Sequence, residues 1–221
     1  MSDAETSTLP AAAGPESAPP VRKRPKPGER RVQILQALAS MLEQPGAERI
    51  TTAALAARLE VSEAALYRHF ASKAQMFEGL IEFIEQTVFS LINQIAERES
   101  VVAPADADAG TRHAGKVVAM LVQFAEKNPG MTRVMVGDAL VFENDRLQQR
   151  MNQFFDKIES TLKQSLRVAS DASGSATPSV DAQVRASALT AFVVGRLQRF
   201  ARSGFKRLPS EHLEASLALM L

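Results

Sequence analysis

Four polar side chains that could do chemistry lie close together in the stretch VSEAALYRHFASK, residues 61–73: Tyr67, Arg68, His69 and Lys73. Such a group could bind a metal, transfer protons or hold an anion. Metal binding is not favoured, because the chain has no Cys and only three His, with no His-Glu pair at zinc-ligand spacing. Nucleophile elbows, phosphate-binding loops and dinucleotide-binding glycine turns are also missing. We therefore expect no catalytic residue, no metal and no cofactor, and we interpret the group as an anion-binding surface of a protein that is not an enzyme.

Positive charge is concentrated in the segment that contains these residues. Residues 20–73 hold ten Lys or Arg against five Asp or Glu, whereas the net charge of the whole chain is only +1. A local excess of this kind indicates an anionic polymer or surface as the partner, although an ordinary solvated face is the alternative. No apolar run approaches the roughly 18 residues of a membrane span, and no signal peptide is recognisable. We therefore expect a cytoplasmic protein without a membrane segment.

The elements that must position the anion-binding residues are predicted to be helices throughout. Apolar residues recur at three- and four-residue intervals, which is the period of an amphipathic helix, and no period-two alternation predicts a strand. Long helices are predicted over about 29–42, 73–95, 112–127, 144–168 and 181–203. The fold class is therefore all-α.

Composition divides the chain into three predicted segments. Residues 1–28 form an Ala- and Pro-rich tail that becomes basic at 22–26, and this composition is typical of disorder. The basic part either follows a phosphate backbone or only increases solubility. Residues 29–74 are predicted to be a DNA-binding domain, and residues 75–221 a helical dimerisation and partner-binding domain. Within the latter, residues 128–130 are predicted to break the chain before a short helix at 132–137, and residues 170–179 to be a flexible connector.

Two short predicted helices have the dimensions of a helix-turn-helix. They run over Thr51–Leu59 and Ser62–Phe70, and a Thr and a Ser are available as N-caps. The second helix is narrow enough for a DNA major groove, and the small side chains in its first turn permit close approach to base edges. Lys73 begins the next helix, where backbone N–H groups and a cation together favour a phosphate. For His69 the alternative is a structural helix cap, and for Tyr67 it is a place in the core.

The residues around this unit resemble the DNA-binding domain of the Tet repressor (TetR) family, and LYRHFASK is the most recognisable part of ITTAALAARLEVSEAALYRHFASKAQMFEGLIE. The resemblance implies a TetR-like fold, with a three-helix N-terminal helix-turn-helix domain and a C-terminal helical domain for dimerisation. It also implies that Thr52, Tyr67, His69 and Lys73 contact phosphates while 62–65 face base edges. The full predicted DNA-binding set is Arg30, Arg31, Thr51, Thr52, Ser62, Glu63, Ala64, Ala65, Tyr67, Arg68, His69 and Lys73.

One residue departs from the family pattern. The turn between the two short helices usually contains Gly in a left-handed conformation, and here that residue is Glu60. A residue with a Cβ costs about 1 kcal/mol in that conformation. The exact geometry of the turn is therefore an open question from sequence.

Residues 126–159 resemble a branch of the TetR family that acts in nucleoid occlusion. The resemblance implies binding to specific palindromic sites as a homodimer, with possible higher-order assembly on double-stranded DNA. It further implies that the DNA-bound protein inhibits the division GTPase FtsZ over the chromosome, and so associates with the nucleoid. Phe83 and Asn128 are predicted to border a groove for the FtsZ C-terminal tail, and simple core packing is the alternative for Phe83. The alternative function is a ligand-responsive TetR-type transcriptional repressor.

Small residues on the last long predicted helix point to a dimer seam. Ala188, Ala191 and Gly195 form a ridge that permits close approach of a second backbone. A two-fold dimer is also expected because one helix contacts too few base pairs to specify a site. Two helices related by a two-fold axis read a palindrome with half-sites about 34–36 Å apart.

Overall fold

The computed structural model describes residues 28–44, 50–102 and 108–221, and all regular structure within these ranges is helical. The all-α prediction is therefore confirmed. The predicted tail, including its basic residues 22–26, lies outside the described residues apart from Gly28. The elements are α1 (Glu29–Leu42), α2 (Thr52–Arg58), α3 (Glu63–Tyr67), α4 (Lys73–Val102), α5 (Ala109–Lys127), α6 (Pro129–Met135), a 3-10 helix (Asp138–Leu140), α7 (Asp145–Ala172), α8 (Pro178–Arg202) and α9 (Leu213–Met220).

Helix α4 joins the two halves of the molecule. Its first turns contact α1, and its later turns contact α5 and α7. The apolar stripe predicted from sequence faces these neighbours, since the side chains from Phe77 to Val88 on the stripe are at most 1% exposed. The same continuous helix therefore packs against α1 in the predicted DNA-binding domain and against the helical body, as we call the helices that follow it, α5 to α9.

A small apolar core underlies α1, α2 and α3. Ile34 and Leu38 from α1 pack with Leu55 of α2 and Leu66 of α3, and each is no more than 1% exposed. Phe70 completes this core directly after α3. Helix α3 is shorter than predicted, because Phe70 N–H and His69 N–H both bond to the carbonyl of Leu66 and close the helix as a turn.

Helices α7 and α8 form an antiparallel hairpin that packs against α5. The predicted flexible connector at 170–179 is wrong. Helix α7 continues to Ala172, and Gly174 closes it in a left-handed conformation with φ 74°. The following residues are tied to the start of α8, where the Asp181 carboxylate accepts from the hydroxyls of Ser175 and Thr177. Side-chain capping explains why Ser and Thr residues that resemble a linker form an ordered turn.

The break predicted at residues 128–130 is a single residue wide. Asn128 ends α5, and Pro129 begins α6 at a position where its missing N–H costs nothing. Gly130 lies against α1, because a Cβ at this position would stand 1.9 Å from the carbonyl oxygen of Ala39. The short helix therefore begins three residues before the predicted Thr132, in direct backbone contact with the DNA-binding half.

None of the helices in the described ranges combines the length and the apolar character that a bilayer span needs.

Candidate nucleic-acid interface

The turn between α2 and α3 has a defined hydrogen-bonding pattern. Val61 N–H bonds to the carbonyl of Ala56, and Glu60 N–H to that of Ala57, which are the two bonds of a Schellman motif. Glu60 lies at the left-handed position of this motif with φ 53°. The turn geometry typical of Gly is thus adopted by a Glu.

Side-chain caps define the start of both short helices. The Thr51 hydroxyl accepts from Ala54 N–H at 3.1 Å, and the Ser62 hydroxyl accepts from Ala65 N–H at 3.3 Å. A five-residue helix such as α3 is too short to be stable alone, so its cap and the buried Leu66 hold it in place. Thr51 and Ser62 are therefore structural as well as exposed. Ala64 is exposed beside them and Ala65 is half-buried.

Three residues of the predicted DNA-binding set form a hydrogen-bonded chain. The Thr52 hydroxyl donates to Glu63 Oε2 at 2.5 Å, and the Tyr67 hydroxyl donates to Thr52 at 3.4 Å. Tyr67 is 45% exposed, so the alternative that it belongs to the core is wrong. Because Glu63 is turned toward Thr52, its carboxylate is held by a neighbour within the same surface.

A second group links the start of α1 to the end of α3. The Arg31 guanidinium donates to the carbonyl of His69 at 3.1 Å and stacks over the Phe70 ring at 4.2 Å. Arg31 and His69 are both exposed, as is Arg68, whereas Arg30 is half-buried. The arrangement fixes the position of a cation next to the carboxyl end of α3.

Lys73 occupies the first position of α4, and its surroundings were not predicted. Its ammonium lies 2.5 Å from Glu143 Oε1 and 5.7 Å from the centroid of the Phe77 ring. Glu143 follows the 3-10 helix in the helical body, 70 residues away in sequence. No local sequence signal marks this pairing, because it depends on the tertiary contact between the two halves.

The two residues predicted to bind a partner occur near α1 and α6. Phe83 is 37% exposed and lines a small apolar depression with residues from α1, α4 and α6. This depression holds only about 10 Å³, so it fits part of one side chain and no metabolite. The Asn128 side-chain amide donates to the carbonyl of Phe124 at 2.7 Å and thereby caps α5. The residues that line the depression are Val32, Leu35, Gln36, Leu80, Phe83 and Met131.

The outer face of α8 carries small apolar residues that the described part of the chain leaves exposed. Val184 is 63% exposed, and Ala188 and Ala191 are also exposed. A Cβ at Gly195 would meet no atom within 4 Å. We refer to Val184, Ala188, Ala191 and Gly195 as the α8 ridge. The opposite face of α8 is buried against the rest of the body.

Among the described residues, no three His, Asp or Glu side chains are grouped in a way that could hold a metal ion. The exposed groups around α2 and α3 include hydroxyls, cations and the carboxylates of Glu60 and Glu63. The hydroxyls and cations can position and neutralise an anionic chain.

Two family profiles match the chain. The profile described as "Bacterial regulatory proteins, tetR family" matches residues 34–80, and the one described as "Tetracyclin repressor-like, C-terminal domain" matches residues 111–221. Together they cover both the helix-turn-helix and the helical body.

Curated relatives match over most of their length. The nucleoid occlusion factor SlmA of Idiomarina loihiensis is 50% identical over 191 residues, which cover 86% of this chain and 93% of the relative. The SlmA of Aliivibrio fischeri is 49% identical over 197 residues, covering 89% and 96%.

Solved structures share the fold at low sequence identity. The transcriptional regulator FadR from Bacillus subtilis, in complex with stearoyl-CoA, superposes with a TM-score of 0.66 at 15% identity, covering 86% of this chain and 96% of that one. A TetR/AcrR-family regulator from Thermobifida fusca gives 0.62 at 14% identity, covering 87% and 97%.

Proposed function

The chain belongs to the TetR family and, within it, to the nucleoid occlusion factors SlmA, and from this membership we propose that it binds specific chromosomal sites as a dimer and inhibits FtsZ assembly over the nucleoid. The observation that carries the proposal is identity near 50% over 86–89% of the chain, which includes both the helix-turn-helix and the helical body. The helix-turn-helix alone is shared with regulators of many kinds. Similarity that continues through the body favours this particular function.

DNA recognition is assigned to α3 and the groups around it. At the start of α3, Ser62 and Ala64 are small and exposed and permit approach to base edges, beside the exposed Glu63 and the half-buried Ala65. Phosphates are contacted by the hydroxyls of Thr52 and Tyr67 and by the cations of α1 and of Lys73. The hydrogen bonds between Arg31 and His69 and between Tyr67 and Thr52 support this assignment, because they hold the groups in place before DNA arrives.

Dimerisation is assigned to the α7–α8 hairpin through the α8 ridge. The ridge spaces small apolar residues at intervals of three and four along one helix face, which suits close packing of a second copy. A two-fold axis through this seam presents two α3 helices to successive major grooves. The dimer therefore reads a palindrome that one α3 is too short to specify.

The FtsZ C-terminal tail is assigned to the surface around Phe83 and Asn128. Phe83 offers an aromatic face beside the apolar depression between α1, α4 and α6. An extended peptide with apolar side chains fits such a surface by placing one side chain in the depression. Inhibition needs no covalent step. DNA arranges several copies side by side, and together they hold FtsZ tails near the chromosome in the cytoplasm.

The DNA part is tested by the salt dependence of operator binding. With about four phosphate contacts in each subunit, the slope of log affinity against log salt for the dimer is on the order of −7. Lys73→Ala weakens binding to every DNA sequence, whereas substitution of Ala64 changes the sequence preference. A salt response near zero would reject the assignment.

The FtsZ part is tested by a pull-down with and without genomic DNA fragments. Capture of FtsZ that increases with particular fragments is the expected result, and Phe83→Ala reduces it while leaving DNA binding unchanged. Failure to capture FtsZ under any condition, with DNA binding intact, would favour a transcriptional repressor. A small-molecule effector is less well supported, because two grooves among the described residues, of about 410 and 420 Å³, are open surface features with charged residues in their lining.

A further inference from the structure

The Lys73 ammonium has two possible partners, the Glu143 carboxylate and a DNA phosphate. The proposed function, on which this inference rests, uses the Lys73 ammonium for a DNA phosphate. In the structure the same ammonium is 2.5 Å from a Glu143 carboxylate oxygen. Lys73 is 33% exposed and lies at the N-terminus of α4, so a phosphate can reach it from the solvent side.

Glu143 has little access to water. Its side chain is only 10% exposed, and its N–H bonds to the carbonyl of Leu140 at 3.0 Å. The next residue, Asn144, caps α7 through a bond to Arg146 N–H. The backbone on both sides is therefore held, and a buried carboxylate that loses its cation is strongly destabilised.

From this geometry we propose that Glu143 and a DNA phosphate compete for the Lys73 ammonium, so that Glu143 is a positioning residue that restrains DNA affinity. When a phosphate takes the ammonium, the Glu143 side chain turns toward solvent, because its burial is no longer compensated. This competition acts through the Lys73 ammonium and requires no other residue.

The competition connects the two halves of the molecule. Glu143 directly follows Val141 and Phe142, which are 61% and 59% exposed. A movement of Glu143 therefore also moves an exposed segment of the helical body that contains none of the predicted DNA-binding residues. By linkage, anything that draws this segment away from Lys73 also strengthens DNA binding.

The test is a double-mutant cycle on operator binding by the full chain. Glu143→Gln is expected to raise DNA affinity about threefold near 0.1 M salt, because the phosphate no longer competes with a carboxylate for the Lys73 ammonium. The salt slope becomes steeper by about 1 to 2, since each freed lysine neutralises a phosphate more fully. In a Lys73→Met background, Glu143→Gln is expected to leave affinity unchanged, because the effect acts through the ammonium.

Glu85→Gln is the matched control. Glu85 on α4 pairs with Arg150 on α7 at 2.8 Å, so it is another ion pair between α4 and the helical body, and it includes no predicted DNA-binding residue. It is expected to change thermal stability without changing the salt slope. If Glu143→Gln behaves like this control, or acts equally in the Lys73→Met background, Glu143 is structural and the inference is wrong.

A second measurement does not depend on any variant. Hydrogen exchange of the wild-type chain is expected to increase over residues 141–144 when operator DNA is added, as the Glu143 side chain leaves its site. Unchanged or slower exchange there, with DNA bound, would overturn the inference. Absence of DNA binding by the wild-type chain would instead contradict the proposed function, so the two failures are distinguishable.

Discussion

Two surfaces are exposed in one protomer and differ in chemistry. One is the surface around α3 that includes Arg31, Thr52 and Tyr67, which we call the reading face, and the other is the α8 ridge. The reading face consists of hydroxyls and cations held by one another, such as Tyr67 on Thr52 and Arg31 on the His69 carbonyl. The ridge consists of small apolar groups, and Gly195 has open space where a side chain would be. Polar groups held in advance suit a charged polymer with fixed geometry, whereas a bare apolar ridge suits an identical copy of itself.

Removing the core beneath the reading face has the largest expected effect. Phe70→Ala empties a site where the ring packs against Gly79 and Arg31, and it destabilises the reading domain by about 3–5 kcal/mol. DNA binding is lost while the α7–α8 hairpin still dimerises, so the variant affects the reading face and not the α8 ridge. Thermal unfolding and sedimentation measure the two outcomes.

Leu219→Ala on α9 is the control for this variant, because that side chain is 90% exposed and its loss costs less than about 0.5 kcal/mol. If Phe70→Ala abolished dimerisation as well, the two regions would form one cooperative unit, and the comparison would fail.

A charge on the ridge has the next largest effect. Ala191→Arg places a guanidinium in the proposed seam and separates the subunits, because a buried unpaired charge cannot be accommodated there. DNA affinity then falls about 100-fold, since each half-site is bound independently. Sedimentation gives the oligomeric state and fluorescence anisotropy gives the affinity.

Asn93→Arg adds the same charge to an exposed position on α4 and is expected to leave the dimer intact. A dimeric Ala191→Arg protein would place the seam elsewhere and would remove the ridge from the comparison.

The smallest effect is expected at the turn before α3. Glu60→Gly removes the cost of a Cβ at φ 53° and raises the free energy of unfolding by about 0.5–1 kcal/mol. Glu60→Ala keeps the Cβ and removes only the charge, so it is not expected to gain that stability. Chemical denaturation measures the difference.

Both Glu60 variants are expected to bind DNA slightly more tightly, because a carboxylate near phosphates is removed. Equal stability of the two variants would show that the left-handed backbone contributes no strain at this position.

Signals from neighbouring residues in the sequence predicted where the two helices of the helix-turn-helix begin. Side-chain oxygens placed just before apolar runs predicted Ser62 and either Thr51 or Thr52 as N-caps, and the structure confirms Ser62 and selects Thr51. The left-handed position at Glu60 was expected from the resemblance to the family, where Gly usually stands. Each of these features depends on residues within a few positions of one another, and for that reason the sequence contained enough information.

Features that depend on distant contacts were not predictable. The pairing of Lys73 with Glu143 joins residues 70 positions apart. The error at residues 170–179 has another cause, since the contacts there are local. Ser, Thr and Gly are common in linkers, and composition does not reveal that Asp181 accepts from the Ser175 and Thr177 hydroxyls and forms a capped turn. The roles of the predicted DNA-binding and FtsZ-binding residues remain predictions, to be decided by the measurements above.

Gly130 has a consequence for how far apart two subunits hold their reading helices. Its lack of a side chain brings the backbone of α6 into contact with the Ala39 carbonyl on α1. With nothing compressible in between, a tilt of the reading domain must carry α6 with it, together with the depression beside Phe83. We therefore expect occupancy of that depression to change the span between the two halves of a palindrome. Affinity for operators whose half-sites are one base pair nearer or farther apart would report this change.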